Sequence, residues 1–158
     1  MIGQEEFRTV MGHFSTGVTV VASRKPDGDP VGLTVNAFTS VSLEPPTVLV
    51  SLHKDAAGYD PLLKVGHFGV SILSAQQHDL ACRFAEEDPD ERFLGLDVEV
   101  GALGSPLIKG ALAWLECRVQ EVFPGGDHDI VLGEVVDCGG RKGDPLLFFR
   151  GSLLGMDP

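Results

Sequence analysis

Basic residues are scarce in this chain. Twelve lysines and arginines stand against 23 aspartates and glutamates, a net charge of −11 over 158 residues. Nucleic acids and anionic membranes need a basic surface to offset their own charge, so both are poor partners. Long apolar runs are missing too, and no stretch reaches the roughly 18 residues of a membrane helix. The start, Met1-Ile2-Gly3-Gln4-Glu5-Glu6, has neither a basic cluster nor an apolar core, which argues against a secretory signal and for a cytoplasmic protein. Cysteine is sparse: Cys82, Cys117 and Cys138 are far apart and form no CxxC pair. That fits a reducing compartment in which each thiol acts as a small apolar residue. The five histidines are not spaced as ligands and the cysteines complete no zinc set, so no metal site is expected. There is also no P-loop, HExxH, GxSxG or GxGxxG.

What is present is a globular composition, 43% apolar and 22% charged, without repeats, low-complexity tracts or a linker. The expectation is one domain over residues 1–158. Phe7, Val10, Met11 and Phe14 recur at helical spacing, predicting a helix from Gln4 to His13. Gly17 to Ala22 is β-branched and reads as a strand, followed by a Pro26-Asp27-Gly28-Asp29 turn and a second strand from Val31 to about Phe38. Pro45-Pro46 starts an extended segment, with a strand from Thr47 to Leu52. Asp60-Pro61 predicts a helix start running to Val65. Phe68 to Leu73 is a strand, and Ser74-Ala75-Gln76-Gln77 matches a capping box for a helix to about Phe84. Asp88 to Glu91 predicts one more short turn. Leu115, Cys117 and Val119 alternate with Glu116 and Arg118, as in a strand with one wet face. Pro124 to Asp127 reads as a hairpin connection, Ile130 to Val136 as its return, and Pro145 to Leu154 as a last strand. Many strands with short helices between them predict a mainly β protein, a closed or nearly closed barrel. Regular strand–helix alternation is missing, which argues against a doubly wound sheet.

Three segments carry groups suited to chemistry. Gly32 to Pro46 gathers Thr34, Asn36, Thr39, Ser40 and Ser42 at the end of an apolar strand. These groups either bond a polar heterocycle and a sugar chain or satisfy their own turn. Ser51-Leu52-His53-Lys54 ends the third strand, where Lys54 either meets a phosphate or is simply solvated. Gly125-Gly126-Asp127-His128-Asp129 holds a histidine between acids at a glycine turn. It is either a tunable hydrogen-bonding group or an ordinary surface residue.

Taken in order, these segments resemble the flavin reductase-like family with the FMN-binding split-barrel fold, which includes the NAD(P)H:flavin oxidoreductases of two-component aromatic monooxygenases. The resemblance runs through Phe7-Arg8-Thr9-Val10-Met11-Gly12, Phe14 to Val21, Gly32 to Pro46, Phe68 to Leu73 and Leu80 to Ala85. It continues through Gly104-Ser105-Pro106-Leu107, Leu115-Glu116-Cys117, Gly126-Asp127-His128 and Pro145 to Gly151. It implies a Greek-key-like barrel, a homodimer, and bound FMN, with FAD as the alternative. Thr34, Val35, Asn36 and Ser40 are then expected along the ring and ribityl chain. Ser51, Leu52, His53 and Lys54 are expected on a second wall near the phosphate, with Phe84 and Ala85 closing over the flavin tail. His128 is expected to place the nicotinamide of NADH or NADPH, with Phe149 and Arg150 as further candidates. The reaction implied is hydride transfer to flavin, in service of a separate monooxygenase.

The sequence departs from the pattern after Lys54. Asp55-Ala56-Ala57-Gly58 offers no hydroxyl for a phosphate and adds an acid. Backbone N–H groups or the next helix N-terminus would then have to take over. His53 also replaces an amide or hydroxyl. Two other readings therefore stand beside the reductase: a flavoprotein that reduces a small organic acceptor directly, and a non-catalytic binding module.

Overall fold

Because β-branched residues crowd its middle, Thr19–Arg24 (β2) forms a strand that is buried on both faces. Val20 and Val21 are fully inaccessible, and Thr19, Ala22 and Ser23 nearly so. The computed structural model describes residues 1–156. A helix, α1 (Gln4–Met11), and a two-residue strand, β1 (Thr16–Gly17), precede β2. After it come β3 (Pro30–Val35), β4 (Phe38–Leu43), β5 (Pro46–His53), α2 (Tyr59–Val65) and β6 (His67–Ile72). A 3₁₀ turn at Ala75–Gln77 leads into α3 (His78–Glu86). The remainder is β7 (Val98–Val100), β8 (Pro106–Ile108), β9 (Ala113–Gly125), β10 (His128–Gly140), β11 (Leu146–Phe149) and β12 (Ser152–Gly155).

Seven of these strands form one antiparallel sheet in the order β3-β2-β6-β9-β10-β5-β4. Its two end strands, β3 and β4, are successive in the chain and joined by Asn36 and Ala37, so the sheet curls into a barrel split along that seam. The expected barrel with short helices is thus present. Val21, Val35, Val50, Leu52, Phe68, Val70, Cys117 and Val131 fill its interior. A second core lies outside the barrel wall, where Val18, Val20, Ala22, Ala81, Phe84, Leu73 and Leu146 join α3 to β2 and β11. β2 feeds both cores because alternate side chains face opposite ways. Among the described residues no helix is long and apolar enough to cross a membrane.

Several boundaries differ from the sequence reading. α1 stops at Met11, with Gly12 as its C-cap. α2 begins two residues early, at Tyr59 rather than Pro61, with Gly58 rather than Asp60 in the cap position. The capping box at Ser74 and Gln77 is present, but it opens a 3₁₀ turn before the α-helix. The hydroxyl-rich stretch after Val35 is a separate strand, β4, because Asn36-Ala37 turns the chain at the seam. The expected strand from Pro145 to Leu154 is instead a hairpin, β11–β12, turning at Arg150 and Gly151, both with positive φ. The hairpin at Gly126-Asp127 is far longer than its alternation signalled: β9 and β10 have 13 residues each. Pro124 is tolerated in β9 because β6 pairs with it only as far as Arg118. The cysteines do not share one environment. Cys117 is buried, and burial pushes its thiol up to about 12, whereas Cys82 is half-buried and Cys138 exposed.

Candidate functional site

The pleat sorts the predicted residues. On β3, Leu33 and Val35 face the barrel interior, so Thr34 and Asn36 face outward. On β5, Val48, Val50 and Leu52 face inward, leaving Ser51 and His53 outside. The register places Ser51 opposite Ile130 and His53 opposite His128 on the outer face of β10. The Ser51 N–H donates to the Ala37 carbonyl at 3.0 Å, which brings β5 against the Asn36-Ala37 seam.

Two adjoining clefts open on this outer side. The first, of about 410 Å³, lies between β3, α3 and the β11–β12 hairpin. Val18, Ala81, Phe148 and Leu153 supply apolar lining, and Thr34, Asn36 and Ala85 stand on its wall. The Thr34 hydroxyl donates to the Ala81 carbonyl at 2.6 Å, so its oxygen keeps lone pairs free to accept. The second cleft, of about 510 Å³, runs along α1 and shares Asn36, Phe148 and Gly151 with the first. An apolar slot with a few convergent polar groups suits a flat heterocycle bearing polar edges, and the residues present fit a flavin ring. Behind the slot, the Arg92 guanidinium is buried and donates to the carbonyls of Glu87 and Gly32 at 3.0 and 2.9 Å, pinning the segment after α3 to β3.

A second group gathers where β5 meets the β9–β10 hairpin. Gly126, at φ +86°, takes the first position of a two-residue loop, a conformation that glycine adopts without strain. Asp127 holds His128 through Nδ1 at 2.7 Å, and that bond keeps the Asp127 carboxyl below the usual carboxylate range. The rings of His53 and His128 meet edge to face, 5.0 Å apart. The Asp55 N–H donates to His53 Nδ1 at 3.1 Å. The Lys54 ammonium lies 3.6 Å from Asp129, whose other oxygen accepts the Tyr59 hydroxyl. That bond raises the Tyr59 phenol above its ordinary value.

Some expectations need correction at the level of side chains. Val35 and Leu52 point into the barrel core and Phe84 into the second core, so only their backbones face the outside. Ser40 is exposed on β4, paired with Val48, and lines neither cleft. Phe149 meets His13 edge to face at 6.5 Å instead of lining a cleft. Lys54 is already engaged by Asp129, and Asp60 sits in the first turn of α2, where its charge opposes an anion. Sequence reasoning missed Phe148, Gly151 and Leu153. The Arg150-Gly151 pair interrupting an apolar run was the available signal for a hairpin there.

A split antiparallel barrel with such a cleft on its outer face is the architecture of flavin-binding split barrels. A family model, the flavin reductase like domain, matches residues 11–156. An FMN reductase (NADH) of Agrobacterium fabrum is 44% identical over 147 residues, covering 93% of this chain and 83% of that protein. The reductase subunit of a flavin-dependent monooxygenase of Mycobacterium tuberculosis is 39% identical, covering 99% of this chain and 84% of that protein. Among solved structures, an NADH:FAD oxidoreductase of Streptomyces globisporus superposes with a TM-score of 0.91 at 39% identity, covering 100% of this chain and 98% of that one. The chain belongs to the flavin reductase like family.

Proposed function

We propose that this protein is a reductase that uses NADH, or NADPH, to reduce FMN or FAD and supplies the product to a separate monooxygenase. The observation that carries this reading is the cleft wall of Thr34 and Asn36, built on a barrel of this family. Bound flavin supplies the hydride acceptor, so the protein needs to bind and orient and requires no strong acid or base. The Thr34 oxygen and the Asn36 amide offer an acceptor and a donor–acceptor pair to the ring edge. Ala85 limits the cleft at the α3 end, and Ser51 extends the wall toward His53 and Lys54. With Asp127 accepting from Nδ1, His128 keeps an Nε2 lone pair that accepts an N–H from the nicotinamide carboxamide.

The reading extends to a homodimer of single-domain chains. Val41, Leu43, Val122 and Phe123 are apolar and exposed on the outer strands, and a second copy would cover them.

The test is flavin-dependent oxidation of NADH, followed by absorbance in air. H128A is expected to raise KM for the nicotinamide at least severalfold with flavin affinity unchanged. Unaltered nicotinamide kinetics would remove His128 from the site. A protein that stays inert with both flavins and both nicotinamides would overturn the reductase reading.

A further inference from the structure

The second cleft carries the feature that hydride transfer leaves unexplained. Of the 12 basic residues, Arg24, Lys25, Lys54, Arg83, Arg92, Lys109 and Arg141 have their charged ends bonded to carbonyls or paired with acids. Lys64, Arg118 and Lys142 have no such partner among the described residues but lie outside the cleft along α1, whereas Arg8 and Arg150 share it. Among the described residues neither guanidinium has a hydrogen-bonding or acidic partner, and both line the cleft along α1. No acid lines that cleft. Two unpaired arginines thus line one hollow in a chain of net charge −11. It concentrates positive potential at one place.

Arg150 is placed there against local preference. Its φ is +49°, the only positive value at a non-glycine among the described residues. Glycine or asparagine takes this conformation more easily. The backbone is over-determined: the Arg150 N–H donates to the Gly12 carbonyl at 2.8 Å. A Cβ on Gly12 would stand 3.3 Å from the Arg150 Cα, so the end of α1 and the β11–β12 turn are in close contact. A residue retained in a strained conformation at a cleft points to a role for its side chain. Planar guanidiniums match phosphate oxygens with paired donors. The cleft adjoins the flavin slot through Asn36, Phe148 and Gly151, so a ring in one and phosphates in the other belong to one ligand or to two stacked ones.

We propose that Arg8 and Arg150 form a diphosphate-binding subsite for a dinucleotide whose ring occupies the neighbouring slot. The proposal rests on the reductase reading for the ligand's identity. The diphosphate comes from the reduced nicotinamide dinucleotide or from FAD, and the two sources separate by experiment.

The variants are R8Q, R150Q and R150G, with K142Q as a control that removes an exposed charge outside the cleft. R150G also relieves the backbone strain, so loss of binding without loss of unfolding temperature separates recognition from folding. Calorimetric titration with inorganic pyrophosphate is expected to show salt-sensitive binding to the parent and K142Q, weakened about tenfold or more in each cleft variant. If the nicotinamide dinucleotide is the source, KM for NADH rises to a similar extent with FMN as acceptor. Dihydronicotinamide riboside, which has no phosphate, then shows unchanged kinetics. If FAD is the source, its dissociation constant rises while that of FMN stays fixed. Unchanged pyrophosphate, NADH and FAD binding in all three variants would overturn the subsite. An inert parent protein that still binds pyrophosphate through these arginines would sink the reductase reading and leave the subsite standing.

Discussion

The floor of the cleft and the tip of the β9–β10 hairpin are both assigned to one reaction, yet they are held by different forces. The floor is anchored from behind. Val18, Ala81 and Phe84 belong to a packed core, Thr34 is bonded to α3, and Arg92 ties the segment after α3 to β3. The tip is anchored along its edges. His128, His53 and Asp127 keep their places through strand register, a two-residue loop and one carboxylate–imidazole bond, with little apolar cover. A slot for a rigid ring calls for the first construction. A group that must admit and release a second ligand on every turnover is better served by the second.

That contrast can be broken most forcefully from below. Phe84 is fully buried and meets the Phe93 ring edge to face at 4.9 Å. F84A is expected to cost about 3–5 kcal/mol in denaturant unfolding and to abolish flavin retention, since the void opens under Thr34 and Ala85. An intact slot in a destabilised protein would show that the floor does not depend on the second core. T34V probes the same wall more gently. It removes the bond to the Ala81 carbonyl and is expected to cost about 1 kcal/mol, with a matching drop in flavin affinity measured by fluorescence titration. Affinity held constant against that loss of stability would assign Thr34 to structure alone.

D127N acts on the hairpin tip and carries the smallest effect. The hydrogen bond from His128 holds the Asp127 carboxyl below its ordinary range, so the bond to the carboxylate is complete above the unfolded carboxylate value and is lost as pH falls through the lower folded one. At pH 6 to 8 the Asp127 carboxylate of the parent is therefore expected to stay ionised. Over the same range the variant is expected to raise KM for the nicotinamide while its unfolding midpoint stays put. A shifted midpoint would mean that the tip is held as firmly as the floor.

Much of this was legible from residue patterns. β-branched runs marked β2, β5 and β6, and the glycine turn marked the hairpin. Thr34, Asn36, Ala85 and Arg150 were singled out and do line the clefts. What escaped depends on distant partners. β9 continues through exposed Gln120 to Pro124 because β10 pairs with it, a fact that no local alternation encodes. β4 is a strand because β5 lies beside it, although its hydroxyls read as a turn. Val35, Leu52 and Phe84 sit within recognisable motifs, but which way each points is decided by register and by core packing. Arg8 belongs to the cleft only because the end of α1 touches the β11–β12 turn, two segments well over 100 residues apart in the chain.

β2 has one last consequence. It is bonded to β3 on one edge and β6 on the other, and closed off on both faces. From Thr19 to Ala22 its amide protons are expected to meet solvent only when the whole fold opens, which places it, with β6, among the slowest-exchanging of the described segments. Val18, at its foot, lines the cleft proposed to hold the flavin ring. The slot is therefore rooted in the part of the molecule that is lost last. Any occupant competes directly with global unfolding, so saturating the slot raises the melting temperature of the entire protein with the logarithm of ligand concentration.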